Sequence, residues 1–107
     1  QDALLDVVRF WMDRGVDGFR LDTINFYFHS QGLEDNPALA PEDRNAQTAP
    51  AVNPYNYQDH IYDKSRPENL AFLERFRAVL DAYPAAATVG EVGDSQRGLE
   101  IIAAYTA

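Results

Sequence analysis

Apolar residues recur at helical spacing in the first stretch of the chain. Leu4, Val7, Val8, Trp11 and Met12 fall at intervals of three and four within residues 2–14. Asp2 is placed to cap this helix and Gly15 to stop it. The period then changes. In Val16-Asp17-Gly18-Phe19-Arg20-Leu21-Asp22-Thr23, Phe19 and Leu21 alternate with Gly18, Arg20 and Asp22, which predicts a strand. One face of that strand carries Phe19 and Leu21, and the other carries Arg20 and Asp22. Residues 29–66 hold no sustained pattern. Pro37, Pro41, Pro50 and Pro54 punctuate them, so they read as one long irregular loop. Structureless loops beyond about 12–15 residues are uncommon and are usually functional or disordered. Tyr55, Tyr57, His60 and Tyr62 predict that the second half is ordered and packed.

Pro67-Glu68-Asn69 opens a second helix, with Leu70, Leu73, Phe76, Val79, Leu80 and Tyr83 as its apolar stripe and Pro84 as its end. Residues 85–92, Ala-Ala-Ala-Thr-Val-Gly-Glu-Val, read as a second, small-sided strand. A turn at Gly93-Asp94-Ser95 leads to a last helix that begins between Gln96 and Leu99. The alternation of strands with helices predicts βα units and a parallel sheet. Two parallel strands do not make a self-sufficient sheet, because such strands are normally buried on both faces. Residues 1–107 are therefore read as part of a larger α/β domain. An eight-stranded (β/α)8 TIM barrel leads, with a doubly wound sheet as runner-up. The chain starts at once in a helical pattern and stops inside another, so both ends read as cut.

Composition narrows the function. The net charge is −8 and the only lysine is Lys64, so no basic patch exists to receive a nucleic acid. There is no Cys, which excludes a disulfide framework and thiolate chemistry. No apolar run approaches the roughly 18 residues of a membrane span and no signal peptide is visible, so the expected location is cytoplasmic. No cofactor is required by this segment. His29 and His60 lack a second ligand at helical spacing and read as packed or exposed side chains. Glu34, Asp35, Glu42 and Asp43 in the loop read as solvated, with a bound Ca²⁺ or Mg²⁺ as the alternative; a structural divalent cation elsewhere also stays open.

The candidate chemistry lies where the two strands end. Asp22 closes the first and Glu91 the second, and consecutive parallel strands are usually neighbours. In a β/α barrel the carboxyl ends of the strands carry the active site. A pair of carboxyls there suits glycoside hydrolysis. The structural alternative makes Asp22 an N-cap for residues 23–28 and Glu91 an exposed strand end. Arg20 sits two residues before Asp22 on the same face, where its charge would keep that carboxyl ionised. Glu91 is flanked by Gly90, Val92 and Gly93, without a neighbouring cation, which suits an acid that keeps its proton. Phe26, Tyr27 and Phe28 read equally as a sugar-stacking wall or as the core of a short helix.

These residues carry a family resemblance. Gly18-Phe19-Arg20-Leu21-Asp22-Thr23-Ile24-Asn25 resembles the nucleophile motif of the α-amylase superfamily, glycoside hydrolase family 13, and Gly90-Glu91-Val92 resembles its acid/base motif. Tyr57-Gln58-Asp59-His60-Ile61-Tyr62-Asp63 and Arg66-Pro67-Glu68-Asn69 are similar to the bacterial α-glucosidase and oligo-1,6-glucosidase branch. The resemblance implies a retaining α-glucosidase acting on a disaccharide or short oligosaccharide, with transglucosylation as a side activity. It makes Asp22 the nucleophile, Glu91 the general acid/base and Arg20 the residue that holds Asp22. It also implies a third acidic residue and sugar-gripping His residues on the rest of the barrel chain. Thr23, next to the nucleophile, resembles the α-1,4-preferring enzymes, where α-1,6-preferring ones carry Val. An oligo-1,6-glucosidase or a sucrose isomerase on the same scaffold is the alternative, and a non-catalytic transporter-associated paralogue is a remote one.

Overall fold

Two short parallel strands, β1 (Gly18–Leu21) and β2 (Ala87–Gly90), pair in the register Gly18↔Ala87, Phe19↔Thr88, Arg20↔Val89 and Leu21↔Gly90. The computed structural model describes residues 1–44 and 49–107. Three α-helices surround the strands: α1 (Asp2–Met12), α2 (Glu68–Leu80) and α3 (Gly98–Thr106). The order is α1, β1, long excursion, α2, β2, α3, the alternation that the sequence predicts.

Each strand is shorter than the sequence predicts. β1 stops at Leu21 because Thr23 turns into the left-handed region, with φ 42° and ψ 50°. A β-branched residue rarely adopts that conformation. β2 begins only after Ala85, which also has positive φ. Close approach fixes their pairing at the other end. A Cβ on Gly18 would lie 2.0 Å from the Ala87 carbonyl oxygen, so only glycine allows the strands to meet there.

The core lies between α1, α2 and the Phe19/Leu21 face of β1. Leu5, Val8 and Met12 come from α1, and Phe72, Leu73, Phe76, Val79 and Leu80 from α2. Phe19 meets Phe76 edge-on at 6.3 Å between ring centroids. Val8, Met12, Leu73, Phe76, Val79 and Leu80 are buried as the sequence predicts, and the stripes differ at their edges. On α1, Leu5 is buried while Leu4, Val7 and Trp11 stay exposed; on α2, Phe72 and Asn69 are buried while Leu70 faces out. Asp2 does not cap α1. Gln1 occupies that position, and the Asp2 carboxylate instead accepts from Arg75 on α2.

Residues 29–66 contain more order than their lack of period suggests. The excursion closes at its base, where the Ser30 N–H donates to the Tyr62 carbonyl at 2.6 Å. Leu39 N–H donates to Tyr57 O and Asp59 N–H to Pro37 O, both at 2.8 Å, around an antiparallel bridge between Ala38 and Gln58. Single 3₁₀ turns occupy Pro41–Asp43 and Pro54–Tyr57, each with proline in its first turn. Tyr55 stacks on His60 at 3.7 Å, and His60 Nε2 donates to the Tyr55 carbonyl at 2.7 Å. The aromatics that predict an ordered second half therefore do pack it.

Gly18→Ala should break the strand pairing. Overpacking of this kind costs about 1–3 kcal/mol. Urea unfolding of the complete polypeptide should show a loss of that order, and an unchanged midpoint would contradict the close approach.

Candidate active site

Register places the two acidic residues side by side. Leu21 pairs with Gly90, so Asp22 and Glu91 are the next residues on adjacent strands. Two backbone bonds continue the ladder past its formal end: Glu91 N–H to Leu21 O at 3.0 Å, and Ile24 N–H to Glu91 O at 2.9 Å. Both carboxyls therefore project from the carboxyl edge of the sheet, although 69 positions separate them in sequence. Asp22 does not act as a helix cap. Thr23 occupies the N-cap position of the 3₁₀ turn Ile24–Phe26, without a side-chain bond, and the Asp22 carboxylate turns to Arg20 instead.

Arg20 joins the pair. One terminal nitrogen of its guanidinium, Nη1, donates to Asp22 Oδ1 at 2.7 Å, and the other, Nη2, donates to Glu91 Oε2. This corrects the reading of Glu91 as a carboxyl without a cation. Its flanks in sequence hold none, but the parallel register brings Arg20 across from Val89, within reach of Glu91. Contrasting local charge therefore does not distinguish the two carboxyls in this geometry. The Arg20 hydrogen bond, and after it the Arg20 charge, hold the Asp22 carboxyl below the usual carboxylate range. All three side chains are more than half exposed. Solvent screens such pairs, so their contribution here is geometric more than energetic.

The segment after Asp22 divides its side chains between site and core. Phe26 packs over the backbone beyond Glu91: a Cβ on Gly93 would meet its ring at 3.3 Å. Tyr27 and Phe28 go the other way, onto Phe72 of α2, at 6.3 and 5.9 Å between centroids. Burial, then the Asp22 charge, raises the Tyr27 phenol above its ordinary value. Thr23 lies directly beside Asp22 in its left-handed conformation.

Three polar residues at this edge carry little sequence signal. Asn25 is fully buried, and its side chain bonds both backbone groups of Gly93. Its one clue is that it is an amide inside the apolar run Ile24-Asn25-Phe26. Asn69 is also fully buried and donates to Ile24 O at 2.7 Å and to the Tyr105 hydroxyl at 2.8 Å. Asp94 accepts from the Gln96 and Arg97 N–H groups at 3.0 and 2.8 Å, ahead of α3, and from the Ser65 hydroxyl at 3.0 Å. Burial pushes its carboxyl up, but bonds from Arg97, Ser65 and Gln96 and the charge of Lys64 outweigh it and leave the value lowered.

The loop carboxylates divide. Glu34 accepts from the Ser30 hydroxyl, while Glu42 and Asp43 stay exposed. His60 is packed between Tyr55 and Asp63. Among the described residues, no group of three or more His, Cys, Asp or Glu is arranged to hold a metal. No described helix is long and apolar enough to cross a membrane.

Comparison with known proteins agrees with the motif reading. The family model "Alpha amylase, catalytic domain" matches residues 1–107. A protein of Rhizobium meliloti (strain 1021), named "Probable alpha-glucosidase", is 77% identical over 106 residues, which is 99% of this chain and 19% of that protein. Maltase A2 of Drosophila melanogaster is 34% identical over 85 residues, 79% of this chain and 14% of the maltase. The crystal structure of an α-glucosyl transfer enzyme, XgtA, superposes with a TM-score of 0.86 at 52% identity, covering 99% of this chain and 20% of that one. The chain thus spans a fifth or less of the length of these relatives.

The electrostatics make a pH prediction. A depressed Asp22 pKa means that the group stays ionised as pH falls through the ordinary Asp value near about 3.9. Its share of the pairing is present above that value and is lost only as pH falls through the lower, folded one. Arg20→Met should therefore raise the Asp22 titration midpoint, read by carboxyl ¹³C NMR in the complete polypeptide. An unmoved midpoint would remove Arg20 as the cause.

Proposed function

The chain belongs to the family of α-amylase catalytic domains, and we propose that it is the part of a retaining α-glucosidase that bears the nucleophile and the general acid/base. The observation that carries this reading is the Asp22–Arg20–Glu91 cluster at the carboxyl edge of β1 and β2. Inverting enzymes hold their carboxyls roughly 6.5–9.5 Å apart to admit a water, whereas retaining ones close to about 5–5.5 Å. One guanidinium bonded to both carboxyls, through Nη1 and Nη2, favours the shorter separation.

In the proposed reaction Glu91 protonates the glycosidic oxygen as Asp22 attacks the anomeric carbon. A covalent β-glucosyl-enzyme forms and the leaving alcohol departs. Glu91 then takes a proton from water, which attacks the same carbon and frees α-glucose with net retention. Arg20 keeps Asp22 ionised for attack. Because it also touches Glu91, the entering substrate must loosen that second contact before Glu91 can serve as an acid. The two-carboxylate chemistry uses no cofactor. The substrate is a disaccharide or short oligosaccharide with a terminal α-glucosyl unit. The transfer activity named for XgtA favours transglucosylation alongside hydrolysis, with a sugar hydroxyl in place of water. Phe26, packed on Gly93, and Thr23, adjoining Asp22, are the proposed sugar contacts, a reading supported by their position beside the pair.

The complete polypeptide should release α-glucose from maltose before mutarotation, as followed by ¹H NMR. Initial release of β-glucose would exclude retention. Glu91→Gln should lower kcat by about 10²–10⁴-fold, the usual worth of a general acid/base. Asp22→Ala should lower it at least as far, and near-normal turnover in either variant would defeat the assignment.

Thr23→Val tests linkage preference. Val is isosteric with Thr and equally β-branched, so the left-handed backbone strain is unchanged and only the hydroxyl is lost. The kcat/KM ratio of isomaltose to maltose should rise by roughly tenfold, within the range that single pocket contacts supply. A constant ratio would remove Thr23 from specificity.

A further inference from the structure

We propose that Asn25 is the positioning residue that holds Glu91 against Asp22. The inference rests on the acid/base reading of Glu91 given above. Asp22 is fixed by the strand behind it and by Arg20. Glu91 is followed by Val92 and Gly93, and the backbone ladder has no further rung to hold them, because Thr23 has turned the opposite strand away. The Asn25 side chain supplies that rung. Its Oδ1 accepts from the Gly93 N–H at 2.9 Å, and its Nδ2 donates to the Gly93 carbonyl at 3.2 Å. A side-chain amide here stands in for a peptide unit and grips both polar groups of one residue.

The rest of the amide's bonding capacity is also used. Nδ2 donates its second hydrogen to Ser65 Oγ at 3.1 Å, and the Ser65 hydroxyl passes its own proton to Asp94 Oδ2 at 3.0 Å. The Asn25 main-chain carbonyl accepts from the Ser65 N–H at 2.6 Å. Asn25 is 0% exposed. Removing its side chain would leave the Gly93 N–H and C=O without these partners in a half-buried place, a state that structures avoid by moving the backbone. Ile24 and Phe26 on either side confine the response. Ile24 lies against Gly90, where an added Cβ would meet its methyl at 3.0 Å, and Phe26 lies against Gly93. Two backbone bonds hold the Glu91 main chain, so the shift falls on residues 92–93 and tilts the Glu91 side chain from its C-terminal side.

The test separates displacement of Glu91 from general damage. Maltose needs its leaving oxygen protonated by Glu91, whereas α-glucosyl fluoride does not, and kcat/KM reports the glycosylation step for both. In the complete polypeptide, Glu91→Gln should lose far more on maltose than on the fluoride. Asn25→Ala should show the same pattern, losing about 10²-fold on maltose, as expected for a misplacement of about 1 Å. Its loss on the fluoride should be at most a few-fold, with melting still cooperative. Asn25→Asp keeps the acceptor for Gly93 N–H and lacks the donor, so its loss on maltose should be intermediate; it carries the test should the alanine variant not fold. Equal losses on both substrates, or near-normal kcat/KM on maltose in a folded variant, would overturn the positioning role. If Glu91→Gln itself failed to discriminate between the substrates, the acid/base reading would fall, and this inference with it.

Discussion

Two backbone hydrogen bonds at the end of a short parallel ladder, Glu91 N–H to Leu21 O and Ile24 N–H to Glu91 O, fix where the acidic side chains sit. Nothing local in the sequence brings residues 22 and 91 together. Their meeting depends on a four-residue pairing whose register leaves no slack. A slip by one residue would turn one carboxyl to the opposite face. Gly18 protects the register at one end by admitting the Ala87 carbonyl, and the Asn25 amide secures the other. The helices matter to the site through this register. α2 presents Phe72 and Phe76 to the strand and to the turn that follows Asp22, and so holds β1 at its level.

The electrostatic arrangement follows from the same geometry. In a parallel pair, side chains at matched positions share a face, so Arg20 serves two carboxyls in place of one. A single cation bridging both acids keeps them close without neutralising both.

The large periods were legible in the sequence. Helix, strand, helix, strand and helix occur in the predicted order, and the two acidic residues lie just beyond the strand ends that the sequence predicts. What escaped depends on the third dimension. Val8 and Met12 of α1 and Leu73, Phe76, Val79 and Leu80 of α2 are buried as their spacing predicts, but at the stripe edges Leu5 and Phe72 replace Leu4 and Leu70, because several apolar residues compete for each face and only the packing partner decides. The cation beside Glu91 was invisible because it comes from the other strand. Asn25, Asn69 and Asp94 were passed over because a buried polar residue announces itself only through the groups it satisfies. The left-handed turn at Thr23 contradicts the preference of a β-branched residue, so no propensity argument would have found it.

The excursion between β1 and α2 is stapled where it leaves and where it returns. Ser30 bonds Tyr62 at its neck, and Ser65 bonds Asn25 beneath the site. A loop tied off in this way behaves as a cassette. The entropy of closing it rises only slowly with added length, and its stem, not its tip, transmits position to the carboxyls. Related sequences are thus free to lengthen, shorten or exchange the stretch between residues 31 and 61 and so reshape what approaches the reacting bond. The pair of acids beneath would keep its geometry through such changes.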